Sequence, residues 1–281
     1  MSTRRLAEEL ARLRAHRSSR TTGTEDLPTD IVEFTKKAFD IDELEPWQEE
    51  FLRSESRRIL LCVHRQGGKS SLTSALMLYE ALHNPGSLCL VVSVSLRQSL
   101  EFFEKFSAGF RRLRGKNLAV PEPQSDRKLG IKLSNGSRVE ALPGGTPASI
   151  RGFSAPAIVC IDEMAQTSEA LLAAVLPMLA VSENGGKLYG LSTPFGRRGS
   201  FYRLFEEGGP EWERFRVPVT ESTRVSAEFI AEARANLLPH EFASEMMVEF
   251  TSAHTSLFDR DALEDALDDS FEPLFPEDEA V

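Results

Sequence analysis

Apolar residues along this chain come in two rhythms. Residues 57–63 (RRILLCV), 87–95 (SLCLVVSVS), 157–162 (AIVCID) and 187–193 (KLYGLST) are short unbroken apolar runs. Their length and β-branched content predict strands buried on both faces. Between them apolar positions recur at three- and four-residue spacing. This predicts helices over Lys69–His83, roughly 97–113 and 168–181, with Pro177 as a kink or boundary in the last. The segments GIKLS and RVEAL flank Asn135-Gly136, a hairpin turn signal. After residue 210 the pattern predicts an edge strand (WERFRVPV) and helices over 226–237 and about 240–249. Buried strands alternating with helices imply an α/β fold with a mainly parallel central sheet covered by helices on both faces.

The two ends read differently. Leu6, Leu10 and Leu13 space a short helix over 4–17, and SSRTTGTEDLPTD reads as a linker. The last stretch, from residue 259, is acidic and punctuated by proline. The expected division is therefore an N-terminal arm over 1–27, a folded domain over 28–258 and an acidic linker tail over 259–281.

Composition narrows the class. Apolar residues make up 41% of the 281 and charged residues 27%, which is globular and excludes wholesale disorder. The three cysteines (62, 89 and 160) lie within apolar runs, as free thiols of a reducing compartment would. No apolar stretch approaches the ~20 residues of a membrane span. The N-terminus lacks the apolar core of a signal peptide. The expectation is a soluble intracellular protein with no membrane partner. The net charge of −10 is uneven: residues 1–24 carry +4 and residues 259–281 carry −9, leaving the middle near −5. A local basic face on such a middle is compatible with nucleic acid, whereas coating DNA over the whole surface is not.

Three strand ends carry chemistry. His64-Arg65-Gln66-Gly67-Gly68-Lys69-Ser70-Ser71 joins a buried strand to a helix. Gly67 and Gly68 let backbone amides wrap a phosphate at the helix N-terminus, Lys69 neutralises phosphate charge, and the Ser70 hydroxyl suits Mg²⁺. The usual G-x-x-x-x-G-K-[ST] loop opens on glycine, where this chain has Val63. Next, Asp162-Glu163 ends a buried strand, placing one carboxylate to hold Mg²⁺ and a second to activate water. Finally, Ser192-Thr193-Pro194 ends another strand, where the hydroxyls suit a phosphate sensor and the residue types equally suit a plain turn.

Taken together, these segments resemble the ATPase module of tailed-bacteriophage large terminase subunits. The loop from His64 to Ser70 is similar to that family's deviant Walker A, which accounts for the missing first glycine. Pro46-Trp47-Gln48 resembles its adenine-binding element. Ser149-Ile150-Arg151-Gly152 resembles its R-G segment before the Walker B strand, and Leu191-Ser192-Thr193-Pro194 its coupling motif. EMMVEFTSAHTSLF (245–258) resembles the stretch that closes the module. The resemblance spans about residues 45–260 in the right order.

The resemblance implies a RecA-like P-loop (ASCE) fold, with ATP and Mg²⁺ at the carboxyl ends of the strands. It implies that Lys69 contacts the phosphates, Ser70 and Asp162 hold Mg²⁺, and Glu163 activates water. Trp47, Gln48, Arg65, Gln66, Gly67, Gly68 and Ser71 complete the nucleotide site. Arg151 stabilises the transition state, and Ser192, Thr193 and Pro194 couple the site to movement. The implied partners are double-stranded DNA, a portal protein, a small terminase subunit and further copies in a ring, acting in the host cytoplasm at the procapsid portal. Large terminases also carry a nuclease domain. Too few residues follow 260 to supply one, so the expectation is a module cut in the interdomain linker, with a natural chain lacking the nuclease as the alternative. Another helicase-type translocase and a nucleotide-switched interaction module remain as rival functions. The basic run 105–116 and the Arg197-Arg198 pair are candidate DNA contacts and equally plain solvated faces.

Overall fold

The computed structural model of the chain describes residues 25–144, 147–182 and 185–251, and of Ser149 the backbone alone. The expected helix over 4–17, most of the arm and linker, and the acidic tail lie outside the described residues.

Eight strands form one sheet in the order β3-β4-β5-β2-β6-β7-β1-β8. Strands β1 (Arg58–Val63), β2 (Leu88–Ser93), β6 (Ile158–Asp162) and β7 (Lys187–Ser192) are the four buried runs of the sequence. They sit side by side and pair in parallel, with β8 (Glu213–Val217) at one edge and β5 (Arg138–Pro143) beyond β2, both also parallel to their neighbours. The predicted hairpin is β4 (Gly130–Leu133) against β5, antiparallel, with Ile131 opposite Val139. Beyond it lies β3 (Pro123–Arg127), a mostly exposed polar strand that the apolar pattern did not announce. A polar edge strand has no apolar face to advertise, and its charges discourage pairing with other chains.

Alternation along the strands divides the core in two. Ile59, Leu61 and Val63 of β1 face one layer, formed by α1 (Ile31–Phe39), α2 (Pro46–Arg53), α3 (Lys69–His83) and α4 (Leu96–Gly115). Leu60 and Cys62 face the other, formed by α6 (Glu169–Ala180) and α7 (Gly199–Glu206), preceded by the single turn α5 (Pro147–Ile150). Helix α4 anchors the first layer through Phe102 and Phe106, at 1% and 0% exposure. Truncating either to Ala would cost about 3–5 kcal/mol. Ser95 starts α4 with a capping box, its hydroxyl accepting from the Gln98 N–H while the Gln98 side chain accepts from the Ser95 N–H.

Helix α6 fills the span predicted over 168–181, with Pro177 inside it and not at its end. One boundary differs from expectation. The predicted helix over about 240–249 stops as α9 (Pro239–Glu245), after α8 (Ala227–Asn236). Val248 takes φ +59, off the helical region, and it and Phe250 turn back into the second core layer at 0% and 8% exposure. Burial of two large apolar side chains overrides the local helical rhythm. No helix among the described residues is long and apolar enough to cross a membrane.

Candidate active site

In a parallel sheet all carboxyl ends lie along one edge, and ligands collect there. The order β6-β7-β1 places Asp162, Ser192 and the start of the phosphate loop on three neighbouring strands, with Asp162 in register with Leu191, and Cys62 with Ser192. A cleft of about 680 Å³ opens at this edge, lined by Gln66 to Ser71 from the loop and first turn of α3, by Asp162 at the end of β6 with Glu163 after it, and by Thr193 just after β7.

The loop is built around two glycines. A Cβ on Gly67 would lie 2.5 Å from Val63 Cγ1, and Gly68 sits at φ +92 as the N-cap of α3. The strand residue that departs from the usual loop pattern, Val63, is thus the one that closes against Gly67. Lys69 is 8% exposed, and its Nζ donates to the carbonyls of Val63 (2.7 Å) and His64 (3.4 Å). Burial lowers the Lys69 pKa, while the nearby Glu163 and Asp162 carboxylates oppose that fall. The ammonium is held by the loop's own backbone and faces two acids.

Asp162 is 8% exposed, and burial, followed by the charge of Glu163, raises its pKa to about 6, with Lys69 and Lys105 pulling the other way. Glu163 takes a left-handed backbone, φ +53 and ψ +46, as the N-cap of a single 3₁₀ turn, Met164–Gln166. That conformation is costly for a non-glycine residue and is typical of side chains aimed by a functional edge. Ser192 Oγ donates to Glu163 Oε2 at 3.4 Å and accepts from the Ala165 N–H. These residues fit a phosphate and a divalent cation. Gly67 has no room for a Cβ, the Lys69 ammonium lies against the loop's carbonyls at the cleft, and the charges of Asp162 and Glu163 oppose one another where a cation would relieve their repulsion.

Other predicted residues go elsewhere. Trp47 is 8% exposed within the core, and its Nε1 donates to Glu45 Oε2 at 2.9 Å. Gln48 is 1% exposed; its Nε2 reaches the Gly67 carbonyl at 3.4 Å and its Oε1 accepts from the Glu45 N–H and from Arg224. Neither lines the cleft. A separate hollow of about 620 Å³ lies on the other side of the loop, sharing Arg65 and Gln66 with the cleft. Its far wall is Val219, Arg224, Val225, Phe229 and Met246. The surface it exposes is mostly apolar. Arg65 pairs with Glu245 at 3.6 Å, and its N–H donates to the Glu245 carbonyl. Arg151 is exposed, away from the cleft, and has no ion pair among the described residues. Pro194 is buried and does not line the cleft.

The sequence pattern missed the opposite wall of the cleft, which is the first half of α4: Arg97, Gln98, Glu101 and Lys105. The Ser95–Gln98 capping box was the available signal for where that wall begins. The wall also divides the basic run 105–116. Lys105 faces the cleft, Arg114 pairs with Glu122, and Lys116 pairs with Asp40. Arg111 and Arg112, the other two cations of the run, are exposed. Arg197 is bound to the Phe250 carbonyl and Arg198 lies over the Phe195 ring, 5.4 Å from its centroid.

No protein-family model and no curated protein sequence matches the chain. Solved structures do. The large terminase ATPase domain of Thermus phage P74-26 superposes at TM-score 0.67 with 22% identity, over 78% of this chain and 98% of that one. The bacteriophage HK97 large terminase gives 0.63 at 13% identity, over 79% of this chain and 55% of its own length. The large terminase of a thermophilic bacteriophage, solved in complex with ADP, gives 0.59 at 12%, over 74% and 54%. The chain thus spans about half the length of the last two. The architecture described above, an eight-stranded and mostly parallel RecA-like sheet between two helical layers, is the fold of a phage large-terminase ATPase domain.

Proposed function

We propose that this chain is the ATPase module of a viral DNA-packaging motor, which hydrolyses ATP to drive double-stranded DNA into a procapsid. The observation that carries this reading is the meeting of Lys69, Ser70, Asp162, Glu163 and Thr193 along one cleft at the carboxyl edge of the sheet, on a fold shared with terminase ATPase domains.

Within that reading the Gly67-Gly68 backbone and Lys69 bind the phosphates. Ser70 and Asp162 would hold Mg²⁺, which supplies charge neutralisation between phosphate oxygens when bound. Glu163, steadied by Ser192, accepts a proton from water. Thr193 sits beside it at the cleft. With Ser192 and Pro194 it couples the site to movement of β7 and of the segment leaving it. Arg151 contributes charge to the site of a neighbouring subunit. The partners of this reading are double-stranded DNA, a portal protein, a small terminase subunit and a ring of like chains, in the host cytoplasm at the portal vertex.

The test is phosphate release with and without linear double-stranded DNA, on the chain and on Glu163→Gln. Turnover that DNA stimulates and Glu163→Gln abolishes supports the motor. Tight nucleotide binding with no release under assembling conditions would make this a nucleotide-switched module. Release indifferent to DNA would make it an ATPase of another kind.

A further inference from the structure

Glu45 is a carboxylate at 4% exposure, just before α2, with no part in the phosphate cleft. Its Oε1 accepts from Ser222 Oγ at 2.8 Å, from the Thr223 N–H at 2.9 Å and from Thr223 Oγ1 at 3.4 Å. Its Oε2 accepts from Trp47 Nε1 at 2.9 Å. One buried acid therefore spends both oxygens tying the chain at 222–223 to the start of α2, across 177 positions of sequence. A buried carboxylate is retained only where such bonds satisfy it, so each end of this tie fixes the other.

What it fixes is the far wall of the apolar hollow beside the phosphate loop. Arg224, the next residue, lines that hollow and donates to Gln48 Oε1 at 3.1 Å, while Gln48 Nε2 touches the Gly67 carbonyl. Val225 and Phe229 continue the same wall. The other anchor of this segment is Arg224 itself, which also donates to the Glu43 carbonyl at 3.4 Å, while α8 beyond it has no buried residue. The hollow and the phosphate cleft meet at Arg65 and Gln66, so a ligand with phosphates in the cleft would lay its base in the hollow.

We propose that Glu45 is the positioning residue of the base wall: it sets the 222–229 segment at the distance from the phosphate loop that a purine base requires. The proposal rests on the nucleotide reading above. In it Trp47 and Gln48 serve as struts behind the wall rather than as the surface that meets the base.

The test compares two ligands on the same protein, ATP and inorganic tripolyphosphate, by calorimetry. Tripolyphosphate uses the cleft alone. Glu45→Ala leaves the Glu45 N–H bond to Gln48 intact, and with it the contact of Gln48 to the loop. The expected result is an ATP Kd raised about tenfold with the tripolyphosphate Kd unchanged. Glu45→Gln keeps an acceptor for Ser222 and Thr223 and should recover most of the ATP affinity. It also serves where Glu45→Ala fails to fold. Equal losses for both ligands, or Glu45→Gln and Glu45→Ala both binding ATP as the unaltered chain does, overturn the proposal while the nucleotide reading stands. An unaltered chain that binds neither ligand overturns the nucleotide reading, and the proposal with it.

Discussion

Ser192, the last residue of β7, hydrogen-bonds Glu163 across the strand boundary, Oγ to Oε2 at 3.4 Å. The hydroxyl of one strand end therefore orients the carboxylate of the next. Ser192→Ala should leave nucleotide affinity unchanged and lower turnover about fivefold, the worth of one hydrogen bond near 1 kcal/mol. Parallel measurement of nucleotide Kd and of phosphate release checks it. A changed Kd would make Ser192 a binding residue instead.

Glu163→Gln should bind ATP normally and lose ~10²–10⁴ in turnover, because an amide keeps the shape and cannot take a proton. Lys69→Ala should fail differently, weakening ATP binding itself by about tenfold to a hundredfold. The two variants separate when affinity and hydrolysis are read on the same preparations.

The pKa of the Asp162 carboxyl is raised from 3.8 to about 6. In this direction the folded state favours the protonated form. The group is neutral in both states below the unfolded pKa, and its ionisation disfavours folding increasingly as pH rises from about 4 to 6. Asp162→Asn should therefore melt higher than the unaltered chain at pH 7.5 without nucleotide, and the difference should shrink toward pH 4. Thermal melts of both proteins across that range test the sign. An Asp162→Asn protein that melts lower than the unaltered chain at pH 7.5, with the deficit closing on acidification, would mean that Asp162 is stabilising as an anion.

Arg151 is exposed and stands outside its own subunit's cleft. Arg151→Ala should reduce turnover of the assembled ring by up to ~10³–10⁵, the range of such fingers, and leave a dilute monomer's slow rate unaltered. Mixing Arg151→Ala with Glu163→Gln under assembling conditions should restore part of the hydrolysis, since some interfaces then join an intact Arg151 to an intact Glu163. No recovery on mixing would place Arg151 at its own site or in a structural role.

The four central strands were legible because each is an unbroken apolar run, and the phosphate loop because glycine, lysine and serine sit between such a run and a helix. Glu163 and Asp162 were legible as acids at a strand end. The left-handed backbone that aims Glu163 was not, since no local residue type demands it. Trp47 and Gln48 read as surface chemistry because tryptophan, glutamine and proline at a helix start look alike whether they face a ligand or a core. In the fold both bond to Glu45, Trp47 at the Glu45 carboxylate and Gln48 at the Glu45 backbone N–H. The α4 wall was hidden for a related reason: a charged helix face shows its charge in sequence and hides which cleft it borders. The α9 boundary failed because Val248 and Phe250 find their burial far from their neighbours in sequence.

Residues 245–250 have one further property. Three of their six backbone carbonyls accept from arginines: Glu245 from the Arg65 backbone N–H in the glycine-rich loop, Val248 from Arg216 of β8, and Phe250 from Arg197 after β7. Six consecutive residues thus tie together the glycine-rich loop, the edge of the sheet and the segment leaving β7. The three attachments are therefore not independent of one another, because a displacement of residues 245–250 strains all of them together.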